Sequence, residues 1–376
     1  MVSTDIKHMR TALLLAKRGR GCTSPNPMVG AVLVKGARVI GRGWHRKAGL
    51  PHAEIEAMTD AYRRGHALKG ATLYVTLEPC STYGRTPPCT DAIIASGIRR
   101  VVVGTVDPNP RHRGKGLILL RRAGIQVTQG VMTEQCDTLN EAFNFWITRG
   151  RPFVTVKSAM TLDGKIATAT GQSKWITGAQ ARKYGMNLRK GADAILVGVN
   201  TIVADDPRLT VRLPRQSARA SAAPHLRRIV LDAYARTPLQ AKVVSDTLAG
   251  LTTIIVSKAA PKERIHALAQ RVRVLQAPAY KGLIKLPWVL IKLGAEDVTS
   301  LLVEGGGEVN ASFLLSGLAQ RVAFFYAPKI LGGAAALKAV GGEGIKTLKN
   351  ALALTHVQWR KLGGDWLLTA SIAGAD

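Results

Sequence analysis

His52, Glu54, Cys80 and Cys89 are residue types that can hold a metal ion and move protons beside it. One imidazole nitrogen and two thiolates fill three corners of a zinc tetrahedron and leave the fourth for water. Glu54 stands two positions after His52, near the start of the amphipathic run Ala53 to Tyr62. From there its carboxylate reaches the water position without ligating the metal, the arrangement of a zinc site that removes ammonia from a nucleobase-like ring. The usual spacing for that chemistry closes with Cys-x-x-Cys. Here eight residues, Ser81 to Pro88, separate Cys80 from Cys89. A loop with hydroxyls, Gly84 and Arg85 suits a phosphate gripped beside the metal. A purely structural zinc closes with four protein ligands, and the nearest spare donors, His66 and Cys22, lack ligand spacing.

Two features of the second half also carry chemistry. Val303-Glu304-Gly305-Gly306-Gly307-Glu308 follows an apolar strand and opens a helix over Asn310 to Leu315. Glycines at such a junction let backbone N–H groups approach a phosphate; the spacing is not Gly-x-Gly-x-x-Gly, so no Rossmann domain is implied. A polar cluster of Lys157, Asp163, Lys165, Ser173, Lys174, Trp175, Arg189, Asp205, Asp206, Arg208 and Arg212 could bind a phosphorylated polyol or line solvated loops.

Strand and helix patterns alternate around these residues. Ala31–Val34 and Val39–Gly41 read as a hairpin, a helix begins near Pro51-His52, and Ala71–Leu77 is a buried strand delivering Glu78-Pro79-Cys80. A helix over Thr90–Ser96 stops at Gly97; the strand Arg100–Val106, a helix at Gly116–Ala123 and the strand Ile125–Gln129 follow. Thr133 to Thr148 reads as one closing helix, and Arg149–Pro152 as a linker. Beyond it, strands are expected at 153–157, 194–197, 228–231, 253–256, 300–303 and 322–326, with an exposed loop at Arg215–Leu226. Ligands at strand ends and helix starts are where an open α/β sheet places its site.

The 376 residues suffice for two cores. No run of 18 apolar residues predicts a membrane span, and Met1–Arg20 reads as an amphipathic helix rather than a secretory signal. Four cysteines, two of them claimed by zinc, point to a reducing cytoplasm, with Cys22 and Cys136 as ordinary thiols. The net charge of +29 splits as +12 over residues 1–150 and +17 over 151–376 without a cationic block. Spread this way, and with only 5% aromatics to stack on bases, it suits a solvated surface that steers anionic substrates better than nucleic acid.

Thr23–Gly30, His52-Ala53-Glu54, Leu77–Cys80, Thr86–Cys89 and Asp107-Pro108-Asn109-Pro110 together resemble the bacterial bifunctional riboflavin-biosynthesis deaminase/reductases. Lys157–Ala167, Ser173–Thr177, Ala204–Pro207, Val303–Gly307 and Ala327–Gly333 extend the similarity to roughly residues 5–370. The resemblance implies an α/β fold: an N-terminal three-layer cytidine-deaminase-like zinc domain (1–148) followed by a dihydrofolate-reductase-like α/β domain (149–376). It implies zinc-dependent deamination of 2,5-diamino-6-ribosylamino-4(3H)-pyrimidinone 5′-phosphate, then NADPH-dependent reduction of the ribosyl group to ribityl. His52, Cys80 and Cys89 would hold Zn2+ and Glu54 would shuttle protons. Asn26 and Arg85 would contact this substrate, Arg85 at its phosphate. In the second half Ala159, Trp175, Thr201, Asp205, Gly306 and Gly307 would line the NADPH site. Ser173, Arg189, Leu209, Arg212 and Glu304 would contact the ribosyl phosphate, with Lys157 and Asp205 catalytic. A homo-oligomer is expected.

One position departs from the family: it commonly has Cys-Ser-His where this chain reads Cys80-Ser81-Thr82. Losing a charge-assisted bond there predicts substrate binding weaker by about 1–3 kcal/mol, offset by Arg85 or the general positive field. The competing readings are a nucleic-acid base deaminase and a chain with one silent half. The long zinc loop and the second domain oppose the first; intact His52, Glu54, Cys80, Cys89, Lys157, Asp205 and Glu304 oppose the second.

Overall fold

Near-continuous apolar runs such as Ala31–Val34 and Val101–Val103 belong to strands covered on both faces, and a computed structural model shows them so. It describes residues 3–83, 87–212 and 226–374. The chain divides after Gly150 into two compact units, Met1–Gly150 and Arg151–Asp376.

The first unit contains α1 (Ser3–Ala16), β1 (Gly30–Lys35), β2 (Arg38–Trp44), α2 (Ala53–Arg63), β3 (Thr72–Leu77) and α3 (Cys89–Ala95). β4 (Arg100–Thr105), α4 (Lys115–Arg122), β5 (Gln126–Gln129), α5 (Thr133–Leu139) and α6 (Glu141–Arg149) complete it. The sheet order is β2-β1-β3-β4-β5, antiparallel up to β3 and parallel beyond. Alternate side chains feed two cores. Ala31, Leu33, Leu73, Val75, Val101 and Val103 pack against α2, α3 and α4, whereas Val32, Val34, Tyr74 and Val102 pack against Met9, Ala12 and Leu13 of α1. Gly41 and Gly43 in β2 let α2 lie directly on the sheet: a Cβ at either would strike the α2 backbone at Ala57 or Ala53.

The predicted single closing helix is two. It breaks at Asn140, whose side chain accepts from Met28 N (2.8 Å) and donates to Met28 O (2.9 Å). Those two long-range bonds hold Asn140 at φ −110°, ψ 19°, outside the helix basin.

The second unit runs β6 (Phe153–Thr161), β7 (Lys165–Ala167), α7 (Ala179–Lys190), β8 (Ala194–Gly198), α8 (Val199–Asp205), β9 (Arg227–Leu231) and α9 (Lys242–Ser245). Then come β10 (Thr252–Ser257), α10 (Lys262–Ala269), β11 (Arg273–Ala277), β12 (Ala279–Tyr280), β13 (Leu283–Ile284), α11 (Leu286–Gly294) and β14 (Ser300–Val303). α12 (Gly307–Leu315), β15 (Arg321–Ala327), β16 (Leu337–Lys338), β17 (Leu354–Leu362) and β18 (Asp365–Ile372) end it. Nine strands form one sheet, β11-β10-β9-β8-β14-β6-β15-β18-β17. It is parallel from β11 to β15, and its last two pairings are antiparallel. Helices α11 and α12 cover one face of the parallel part; α8, α9 and α10 cover the other. β11, β17 and β18 were not foreseen, and the loop expected at 215–226 falls, but for Leu226, outside the described residues. Among the described residues no helix is long and apolar enough to cross a membrane.

Candidate active sites

In the first unit three elements converge at the carboxyl end of β3. His52 occupies the N-cap position of α2, Cys80 lies three residues beyond β3, and Cys89 opens α3. His52 Nδ1 is 3.5 Å from Cys80 Sγ and 3.4 Å from Cys89 Sγ. A nitrogen and a sulfur bound tetrahedrally to zinc stand about 3.6 Å apart, so this trio has the spacing of a zinc site, with all three donor atoms within 4.8 Å of one another. The electrostatics agree. The Cys89 hydrogen bond, opposed by burial and assisted by His52, pulls the Cys80 thiol down to about 4. Donation to Cys80 and burial push the Cys89 thiol up. Two thiols sharing one ionisation in this way form a pair whose second proton a divalent cation replaces. Glu54, in the first turn of α2, is buried; burial first and the Cys80 charge second push its carboxyl up to about 7. A carboxyl poised there can both take and return a proton near neutrality.

In the second unit Glu304 directly follows β14 and lies, its side chain only 9% exposed, between two cations. Arg189, from the last turn of α7, grips it with two bonds (Nε–Oε1 2.8 Å, Nη2–Oε2 3.0 Å), and Lys157 of β6 approaches to 3.4 Å. Burial alone would raise the Glu304 carboxyl; the Lys157 and Arg189 charges outweigh it and hold the group at about 2. Arg189 also lines a cavity of about 330 Å³, together with Trp175, Asp205, Leu209, Arg212 and the further cations Lys174, Arg208 and Lys242. Ser173 donates to Asp205 Oδ1 (3.3 Å). Next to Glu304, Gly306 is the N-cap of α12 and has no side chain to satisfy the first-turn N–H groups. A Cβ at Gly306 would meet nothing within 4 Å, whereas one at Gly307 would strike Lys338 O. An open helix N-terminus and a cationic cavity joined through the Arg189–Glu304 pair fit a polyanionic cofactor such as NADPH.

Residues 2–105 match the cytidine and deoxycytidylate deaminase zinc-binding region, and residues 152–368 match the RibD C-terminal domain. The riboflavin biosynthesis protein RibD of Aquifex aeolicus is 46% identical over 365 residues, covering 97% of each chain. That of Escherichia coli is 41% identical over 334 residues, covering 87% of this chain and 89% of the other. The structure of Acinetobacter baumannii RibD superposes with a TM-score of 0.85 at 34% identity, over 98% of this chain and 99% of that one. A Thermotoga maritima protein described as a diaminohydroxyphosphoribosylaminopyrimidine deaminase/5-amino-6-(5-phosphoribosylamino)uracil reductase gives 0.82 at 36% identity, with the same coverage.

The chain belongs to the RibD family.

It is therefore a bifunctional enzyme of riboflavin biosynthesis, with a zinc-binding deaminase domain and an NADPH-dependent reductase domain. Of the residues singled out in the sequence, the RibD fold gathers His52, Glu54, Cys80 and Cys89 at one point. Asn26 reaches the same place through His45, its Nδ2 being 3.1 Å from His45 Nε2. Arg85 lies outside the described residues. The reductase cavity unites Trp175, Arg189, Asp205, Leu209 and Arg212; Ser173 joins through Asp205, and Lys157 and Glu304 through Arg189. Leu209 does double service, being also part of the core under α8. Ala159 lies on β6 two residues after Lys157, on the same strand face. Thr201 lies on α8 one turn before Asp205. Neither of these two, nor Gly306 or Gly307, lines that cavity.

Two residues escaped the sequence reading. His45 is buried, its Nδ1 3.2 Å from Pro51 O and its ring edge-on to His52 at 5.3 Å. Its place just after β2, seven residues before a metal-type histidine, was the available signal. Glu78 is buried and accepts from Asp107 N (3.1 Å), Gly114 N (2.9 Å) and Gly116 N (2.9 Å), tying the 107–116 loop to the strand that carries Cys80.

Proposed function

We propose that the first unit deaminates 2,5-diamino-6-ribosylamino-4(3H)-pyrimidinone 5′-phosphate and that the second reduces the resulting ribosylaminouracil phosphate to its ribityl form. The observation that carries this reading is the His52–Cys80–Cys89 trio beside buried Glu54, in one chain with a cationic cavity whose Arg189 grips Glu304, just before the glycine turn that opens α12. The description of the Thermotoga maritima protein names the same pair of reactions for that relative. Held by His52, Cys80 and Cys89, zinc supplies the positive charge that makes a water nucleophilic near neutral pH. Glu54 takes the proton that the water gives up and returns it to the departing ammonia. Asn26 holds the pyrimidine edge, in register with His45, and Arg85 meets the phosphate.

In the second unit NADPH supplies the hydride. Trp175, Thr201, Ala159, Asp205 and the Gly306-Gly307 turn hold the cofactor. Ser173, Arg189, Leu209, Arg212 and Glu304 hold the ribosyl phosphate. Lys157, fixed by Glu304, and Asp205 act beside the sugar carbon that is reduced. The enzyme works in the cytoplasm as a homo-oligomer, and its positive charge steers anionic substrates rather than binding nucleic acid. Light scattering reads the oligomer, and a gel shift at physiological salt reads nucleic-acid binding. The principal test follows ammonia release and NADPH oxidation separately on the diaminopyrimidinone substrate, with zinc counted per chain. Ammonia followed by NADPH loss supports both halves; ammonia alone would leave a deaminase joined to a silent second unit. Neither signal from folded, zinc-loaded protein would overturn the substrate assignment.

A further inference from the structure

Position 82, two residues after Cys80, carries Thr in place of the histidine common in the family, yet an imidazole stands there all the same. His112, half-buried on the 107–116 loop, places Nδ1 3.3 Å from Thr82 Oγ1. The placement is built in. Glu78 accepts three backbone N–H groups of that loop, and Gly116 packs so tightly on Pro79 that a Cβ would strike its carbonyl. Within the loop, Asp107 and Asn109 side chains accept from Asn109 N and Arg111 N, and His112 N donates to Asn109 O (2.9 Å). Asp107 lies within electrostatic reach of both His112 and Cys80. The imidazole is thus held on a loop anchored to both flanks of the zinc ligand Cys80: Glu78 and Pro79 before it, Thr82 after it. Its surroundings favour anions. Arg111, Arg113 and Lys115 are exposed neighbours, and no acidic residue occurs between Asp107 and Glu134.

Resting on the deaminase reading above, we propose that His112 is a substrate-binding residue that donates from Nε2 to the 5′-phosphate of the diaminopyrimidinone. Thr82 donates its hydroxyl proton to Nδ1, so that the ring presents its N–H at Nε2. The loop at 82 and the loop at 112 divide between them what a single histidine side chain would do.

The test measures binding by calorimetry in zinc-loaded Glu54→Gln protein, so that nothing turns over, using the phosphorylated substrate and its dephosphorylated counterpart. Adding His112→Ala should weaken the phosphorylated ligand about 10- to 100-fold and change the dephosphorylated one by less than about twofold. Adding Thr82→His to that variant should recover most of the loss, and His112→Gln, which keeps an amide donor, should lose less than His112→Ala. With Glu54 intact, His112→Ala should raise KM while kcat stays within about threefold. Zinc content and NADPH oxidation by the second unit serve as controls for folding. Unchanged affinity in both His112 variants, or equal weakening of both ligands, would overturn the proposal. If the parent Glu54→Gln protein binds neither ligand, the substrate assignment itself is wrong and the role of His112 falls with it.

Discussion

Replacing Glu304 by Gln removes the charge that Arg189 and Lys157 share while leaving the cavity's shape almost unchanged. The Glu304 side chain is 9% exposed, and those of Arg189 and Lys157 are 13% and 20% exposed. Solvent therefore compensates little for the lost partner. Holding the carboxyl at about 2 against an ordinary value of 4.5 corresponds to about 3 kcal/mol. Removing one member of a buried pair costs about 3–5 kcal/mol for the same reason, an uncompensated buried charge. The sign is set by the depressed carboxyl: its contribution is fully present above about 4.5 and is lost as pH falls through that value towards 2. Global unfolding of a two-unit chain is not two-state, so the assay is native-state hydrogen exchange at the β14 and β6 amides, compared at pH 7 and pH 4. Glu304→Gln should lower their protection by about 3 kcal/mol at pH 7 and by less at pH 4. The double variant Glu304→Met, Arg189→Met should regain at least about half of that loss, since of the three charges only that of Lys157, the most exposed at 20%, is then left without its partner. A loss below about 1 kcal/mol, or a double variant worse than the single, would refute the argument that burial makes this pair strong.

Other perturbations separate the two halves. Glu54→Gln should retain zinc yet cut ammonia release by about 10²–10⁴-fold with NADPH oxidation intact; retained deamination would remove Glu54 as the proton shuttle. Chelation of zinc should silence ammonia release reversibly and leave reduction of added ribosylaminouracil phosphate untouched; a joint loss of both activities would contradict independent sites. Gly306→Val should fold normally, because a Cβ there meets nothing within 4 Å, and should raise the NADPH KM; an unchanged KM would take that turn out of the cofactor site. Asn140→Ala strands the half-buried Met28 N–H and carbonyl that Asn140 bridges. It should lower native-state hydrogen-exchange protection of the β1 amides by about 1–3 kcal/mol, and a neutral result would show that water replaces both bonds.

Most of what lies close together in sequence could be read there. The β1–β2 hairpin, β3 with Cys80 just beyond it, α2 starting beside His52 and the glycine turn before α12 follow from local periodicity and turn chemistry, which act within a few residues. The zinc trio was legible because metal coordination demands particular residue types whatever fold delivers them. Long-range pairing was not. Lys157 and Arg189 lie 147 and 115 positions from Glu304, and three charged residues so far apart resemble solvated surface until β6, α7 and β14 are packed together. β17 went unseen because eight of its nine residues are exposed, so no inside–outside alternation marks it; β18 beside it supplies the pairing. The helix break at Asn140 depends on Met28, 112 positions earlier, and the meeting of Thr82 with His112 depends on Glu78 holding a distant loop. Residue chemistry and local pattern determined which groups could react and which elements would carry them. Which groups face one another was decided only by tertiary packing, because hydrogen bonds and charge pairs act over a few ångströms while the chain separates their members by scores of residues.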